Sequence, residues 1–386
     1  MRRRGIPVWP AVFGLVLGLC MVAGCLTSQS NRKVADGRPT VRVRILAGES
    51  SVAIGGSRAD RSYDASNFIN RVVILPGDKT PVKVNGKAYR GTITLIENGG
   101  KVDVVNEVDI EDYLKGVVPS EVYASWPVET LRAQAIVART YALYEARSST
   151  RKDFDLLPDE RSQVYGGMSV EQTTTNRAVD STTGLVVAFG KRGREKIFCA
   201  YFSSTCGGAS QNAVDAFSTK DPINTIACLN TARNVGMNCK DSPKFSWPDL
   251  VIKKEELARR LKAWGAKEKH EIEQLGTLKS IEISSFNKAN RPAQFEVIDA
   301  NGRRFKLKSE QMRQATNTSR GDQTVLLSSF FVPVDAGDSI RYTAGRGWGH
   351  GVGMCQFCAA AWGKMKVNGQ EIVKRSYPGA VVIRAY

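Results

Sequence analysis

Histidine is almost missing from this chain: His270 and His350 are the only two in 386 residues. His270 lies in Lys267-Glu-Lys-His-Glu271, where a solvated surface position is the natural reading. Any histidine chemistry therefore falls to His350. Long apolar runs are missing as well. The nearest approach, Val8 to Val22, is shorter than the ~18 residues of a membrane-spanning helix and is interrupted by Pro10. The glycine-rich segment Gly345–Gly353 is not followed by Gly-Lys-Ser/Thr, so it is no phosphate-binding loop of the Walker kind. Cys355-Gln-Phe-Cys358 has no βαβ surroundings, which argues against a thioredoxin-like redox pair. The chain has no internal repeat. It also lacks a basic helix or interleaved basic and aromatic residues, so nucleic acid is not an expected partner.

What is present begins with a leader. Arg2, Arg3 and Arg4 precede the apolar stretch, and small residues close it at Val22-Ala-Gly-Cys25. This is the layout of an export signal. The sequence divides into a signal peptide at 1–24, a flexible tether at 25–38 rich in Ser, Asn, Gly and Pro, and a folded domain at 39–386. Lysine and arginine outnumber aspartate and glutamate by 55 to 38, a net charge of +17 that becomes +14 once the three leader arginines are removed. Such a surface favours polyanions, and outside the cytoplasm these are wall polymers and phospholipid surfaces. Beyond Cys20 and Cys25 six cysteines remain: Cys199, Cys206, Cys228, Cys239, Cys355 and Cys358. An even number in an exported chain reads as disulfides, with Cys228 and Cys239 able to close a short local loop. The rival is a structural zinc site, in which Cys355 and Cys358 form one half and Cys199 with Cys206 the other.

Hydrophobic periodicity predicts an α+β fold. From Thr40 to Val108 apolar and polar residues alternate in short runs separated by turn residues, the pattern of antiparallel β-hairpins. A short helix follows at Ile110 to Val117. A longer amphipathic helix runs from about Trp126 to Arg147, with Val128, Leu131, Ala135, Ala138 and Ala142 along one face. Strands are expected near Gly184–Ala188 and Ile197–Phe202. A small α+β insertion at about 249–335 comprises a charged helix from Lys254 to Trp264 and a three-stranded antiparallel unit from Leu278 to Leu307. The chain ends in the glycine-rich strand and a helix near Gln370–Ser376. In that strand Gly345, Gly347, Gly349, Gly351 and Gly353 alternate with Arg346, Trp348 and His350. Glycine weakens a strand, so this repetition makes sense where something must approach the backbone closely.

Three blocks in series resemble the SpoIID/LytB family of bacterial cell-wall proteins. They are Asp109-Ile-Glu-Asp-Tyr-Leu-Lys-Gly-Val-Val-Pro-Ser-Glu121 with Trp126-Pro127 and Leu131-Arg-Ala-Gln-Ala-Ile-Val-Ala-Arg-Thr-Tyr-Ala142; Ser162-Gln-Val-Tyr-Gly166 with Ala200-Tyr-Phe-Ser-Ser-Thr-Cys-Gly-Gly208; and Gly347-Trp-Gly-His-Gly-Val-Gly-Met-Cys-Gln356 with Tyr377-Pro-Gly379. The likeness spans most of the chain after the leader and is thin from Val251 to Val334. It implies a lytic transglycosylase that cuts the MurNAc–GlcNAc bond of peptidoglycan glycan strands, leaving a 1,6-anhydro end, on strands already stripped of peptide by an amidase. The alternative is a non-catalytic glycan-binding enhancer of such an amidase. The resemblance carries the catalytic glutamate onto Glu121, whose apolar setting beside Trp126 would raise its pKa and keep it protonated as an acid. Gln134 and Arg139 match family positions and are expected to bind sugar or orient the glutamate. Tyr201, Ser204, Trp348, His350 and Gln356 are expected to complete the groove. Glu111 and Asp112 are expected to be solvated or helix-supporting charges. Val-Ala-Gly-Cys resembles a bacterial lipoprotein signal, implying lipid on Cys25 and a protein held at a membrane of the cell envelope. Relatives with a metal beside the Tyr-Phe block use a histidine where this chain has Ser203, so a zinc site of that composition is excluded and no cofactor is expected.

Overall fold

The structure, a computed structural model, describes residues 37–56, 60–76, 80–319 and 326–386. The signal peptide and Cys25 lie outside the described residues, as does the tether up to residue 36. Among the described residues no helix is long and apolar enough to cross a membrane.

The hairpin region folds into two antiparallel sheets of four strands. The first runs in the order Thr40–Glu49, Lys101–Asp109, Thr92–Asn98 and Arg71–Ile74. Its alternation is literal: Val41, Val43 and Ile45 point inward while Arg42 and Arg44 do not. The second contains Arg61–Asp64, Ser51–Gly55, Val82–Val84 and Lys87–Tyr89.

Asp109 ends the first sheet and starts helix α1 (Ile110–Glu121), its carboxylate accepting from the amides of Glu111 at 2.9 Å and Asp112 at 3.2 Å. That cap satisfies two of the donors a helix start leaves unpaired. The helix runs four residues beyond the sequence expectation, so that Glu121 becomes its last residue before Val122 turns extended.

Helix α2 (Val128–Ser148) is the hub of the fold. Leu131, Ala135, Ala138 and Ala142 pack into the core shared with the hairpin sheets. Ala133, Ile136 and Val137, on the other side, enter a second core shared with the cysteines and the C-terminal helices. The single apolar stripe of the sequence reading is thus two stripes, and the abundance of alanine lets both neighbours approach the helix axis closely. Around α2 stand α3 (Thr173–Asp180), α7 (Gln356–Lys364) and α8 (Gly369–Ser376), while the short α4 (Ala213–Ala216) packs toward the insertion. A third core belongs to the insertion. It lies between α5 (Lys254–Glu268), α6 (Ser309–Asn317) and the sheets Leu278–Phe286, Pro292–Asp299, Arg304–Lys308 and Leu250–Lys253, Ser339–Arg346, Phe330–Asp335. The sequence reading missed α3, α4, α6 and α7.

The glycine segment departs from expectation. Regular strand ends at Arg346, and Gly347, Gly349, Gly351 and Gly353 all adopt positive φ, between 69° and 94°. The alternation is therefore between left-handed and extended residues, a tight ribbon rather than a flat strand. Its glycines serve the close approach of protein rather than ligand. A Cβ on Gly349 would lie 2.8 Å from the Ser203 Cβ, and one on Gly353 would collide with the Tyr201 carbonyl. The ribbon is held by short bridges, Trp348 pairing with Thr205 and Val352 with Gln211. It hands over to a parallel pair, Phe202–Ser203 with Met354–Cys355.

Candidate active site

The end of α1, the start of α7, the Tyr201–Ser204 segment and the glycine ribbon converge on one groove with a volume of about 840 Å³. Glu121, Tyr201, Ser204, Trp348, His350 and Gln356 all line it. Residues 227 positions apart, nominated on separate blocks of sequence, face the same space.

Glu121 sits half-buried in the wall. Its Oε1 accepts a hydrogen bond from the Val164 amide at 2.9 Å. Burial pushes its carboxyl above the usual range, only partly opposed by the hydrogen bonds from Val164 and the Gln356 side chain. Among the described residues no cation offsets the burial, which favours the protonated form of the carboxyl. Gln356 is itself buried at the start of α7, and its Nε2 also reaches the Oε1 of fully buried Gln134 at 3.4 Å. Gln134 therefore stands behind Gln356 and off the groove surface.

Aromatic rings flank the carboxyl. Tyr123, Trp126 and Phe357 form an edge-to-face series with centroid separations of 5.4 and 5.0 Å. Across the groove Trp348 is 48% exposed, an indole face held only by its backbone pairing with Thr205. Tyr201 donates its hydroxyl to Asn224 at 2.9 Å and packs on Phe217 and His350. Ser204 shares a hydroxyl hydrogen bond with Thr205 at 3.2 Å. Arg161, paired with Asp159 at 2.6 Å, and Lys244 stand at the rim with Glu160 beside them.

His350 lines the groove with little freedom to act there. Its Nδ1 accepts from the Val352 amide at 3.0 Å, and it makes a second hydrogen bond to the Phe202 backbone. Burial pushes its pKa down to about 4, so the ring is neutral near pH 7. This is a pin between ribbon and groove wall.

Arg139 is a correction. It is fully buried away from the groove, where its Nε and Nη2 form a bidentate pair with Glu111 at 2.9 and 2.6 Å. Its remaining bonds go to the carbonyls of Ala135, Val179 and Leu185 and to the Thr182 hydroxyl, so no donor is left for sugar. Glu111 is corrected with it: only 1% exposed, it also accepts from the Gly184 amide at 3.1 Å and the Tyr386 hydroxyl at 2.5 Å. Burial alone would raise its pKa, but the Arg139 charge and these hydrogen bonds hold it below the usual carboxylate range. Charge alternation on a helix does not reveal such a partner, because Tyr386 and Gly184 come from distant chain.

The zinc half-site of the sequence reading is recast too. Cys206, Cys355 and Cys358 do gather, but the fourth sulfur is that of Cys239; Cys199 and Cys228 lie elsewhere in the second core. Cys239 is therefore not closing a local loop with Cys228, and no disulfide joins any two of the six cysteines beyond the leader.

Comparison with known proteins agrees with the geometry. The family description "Stage II sporulation protein", SpoIID, matches residues 98–189, which hold α1, Glu121 and α2. A domain of unknown function, DUF8618, matches 200–353. An uncharacterised protein of Brachyspira hyodysenteriae is 32% identical, covering 78% of this chain and 73% of that protein. The chain belongs to the SpoIID/LytB family. An amidase enhancer of Bacillus subtilis is similar at 28% identity over 78% of this chain and 45% of that protein. The stage II sporulation protein D of the same bacterium is similar at 27% identity over 73% and 76%.

Proposed function

We propose that the groove binds peptidoglycan glycan strands and that Glu121 cleaves them as a lytic transglycosylase. The observation that carries this reading is a half-buried carboxyl with raised proton affinity and no compensating cation, facing a groove lined by aromatic rings. The protonated Glu121 donates to the glycosidic oxygen as the bond to MurNAc C1 breaks. The resulting carboxylate then takes the proton of the sugar's own 6-hydroxyl as that oxygen bonds to C1, closing the 1,6-anhydro ring. One carboxyl serves both steps and no second carboxylate has to activate water. Gln356 orients Glu121, Trp348 stacks a sugar ring, and Arg161 with Lys244 suits the lactyl carboxylates freed when an amidase strips the stem peptides. The amidase therefore acts first or alongside. The leader supports export and lipid attachment at Cys25, which would hold the protein at a membrane of the cell envelope.

The test is mass spectrometry of glycan products after incubation with amidase-treated peptidoglycan. Anhydro-muramyl ends released by the natural chain and absent with Glu121→Gln support the enzyme. The relative named amidase enhancer favours a second reading, in which the groove presents glycan without cutting. Binding without anhydro products, accompanied by faster amidase turnover, would establish that one. Loss of membrane retention in Cys25→Ser checks the anchor.

A further inference from the structure

Cys206 follows the Phe202–Ser203 strand, Cys239 lies in a long loop, Cys355 ends the short parallel strand and Cys358 lies in the first turn of α7. All four are buried, and their sulfurs lie within 4.8 Å of one another. Cys206 Sγ is 3.6 Å from that of Cys239 and 3.8 Å from that of Cys358. With zinc–sulfur bonds of about 2.3 Å, sulfurs at the corners of a tetrahedron stand about 3.8 Å apart. The separations are those of sulfurs around a common centre, and Cys206 is nearly equidistant from two partners instead of favouring one.

Two backbone amides point at the cluster, while Cys355 Sγ also faces the Ser204 carbonyl at 3.7 Å. The Cys206 and Cys358 amides donate to Cys355 Sγ at 3.3 and 3.4 Å. The second of these turns Cys355-Gln-Phe-Cys358 into a tight loop with both sulfurs on one side, at the start of a nine-residue helix. Arg291 lies beside the cluster, with the buried carboxylate of Glu310 also near it. It is completely buried, donates to the carbonyls of Cys206, Ala209 and His350, and has an Nε with no partner. A buried guanidinium bonded mainly to carbonyls needs negative charge nearby, and Glu310 supplies one such charge. A tetrathiolate around a divalent cation carries two such charges.

We propose that Cys206, Cys239, Cys355 and Cys358 bind one zinc ion as a closed, structural tetrathiolate. Four thiols bind Zn²⁺ and release four protons, leaving a dianion whose charge Arg291 and Arg233 offset. Zinc is the natural occupant because four sulfur ligands in a tetrahedron with no open position suit a metal that does no redox chemistry. The ion ties the Cys239 loop and the first turn of α7 to the floor beneath the groove. Ser204, Gln356 and Phe357 are neighbours of its ligands in sequence, so the metal holds the platform on which Glu121 is oriented. The assignment is independent of whether the groove cuts glycan.

Metal analysis of the full mature chain, purified without added metal, is expected to find about one zinc per molecule. A mercurial thiol reagent should release it in step with loss of about four thiols. Cys239→Ser and Cys358→Ser should each abolish the bound zinc, whereas Cys199→Ala and Cys228→Ala should retain it. Should the ligand variants fail to fold, the release experiment on the natural chain still decides. No zinc, together with an intact mass lighter by the four hydrogens of two disulfides, would overturn the proposal. So would zinc retained in Cys239→Ser.

Discussion

The two ends of α1 carry two glutamates with opposite fates. Glu111, in the first turn, is sealed in the core and matched by a guanidinium with ideal fork geometry, so its carboxylate form is favoured. Glu121, in the last turn, lies at a cavity wall with an amide, Gln356 and the like charge of Glu160 for company, so its proton affinity is raised. Both are removed from water; what differs is whether a counter-charge was buried with them. Burial with a partner yields a structural lock, and burial without one yields an acid.

The difference can be broken most sharply at Glu121. Glu121→Gln keeps the shape and the Val164 hydrogen bond but removes the transferable proton, and release of anhydro ends should fall by about 10²–10⁴-fold, the usual worth of a general acid. The thermal midpoint should scarcely change. Breaking the other end should do the reverse. Arg139→Ala leaves Glu111 buried and unpaired, a loss of about 3–5 kcal/mol of stability by denaturant titration. A double variant, Arg139→Met with Glu111→Leu, should recover part of it.

Gln356→Leu sharpens the comparison by stripping Glu121 of a hydrogen bond that lowers its pKa. Turnover should fall by about tenfold, and the pH above which activity is lost should move upward, a shift that a purely structural defect would not produce. The pH dependence of stability carries the smallest effect and opposite signs at the two ends. Glu121 binds its proton more tightly when folded, so its contribution to stability declines as pH rises from the unfolded glutamate value of about 4.3 through the higher folded value. Glu111 binds its proton less tightly when folded. The stability it adds is present above that same unfolded value and is lost as pH falls through the lower folded value. Chemical denaturation across pH should therefore lose the first slope in Glu121→Gln and keep the second.

Much of this was legible in residue order. The alternation in Val41-Arg-Val-Arg-Ile45 gave its strand, and the change of pattern at Ile110 marked a helix start. The blocks around Glu121, Tyr201 and His350 named residues that now share one groove. Elsewhere local pattern misled. Five alternating glycines read as a strand because period two is the strand signature, yet positive φ at four of them makes a ribbon. The run Cys358-Ala-Ala-Ala-Trp362 is strongly helix-forming but was hidden by the glycines before it. Arg139 looked like a sugar ligand because nothing near it in sequence announces Tyr386, Val179 or Leu185 as its surroundings.

The chain's own letters settled the inventory: an export-like leader, six cysteines beyond it, two histidines, an α+β pattern and a glutamate in a family block. Side-chain type and local periodicity are enough for that. Only folding decided which charges were neutralised, that Cys239 rather than Cys199 joined the other three sulfurs, and that His350 became a pin. A proton affinity or a ligand set depends on what lies within a few ångströms, and those neighbours arrive from chain segments tens to hundreds of residues away.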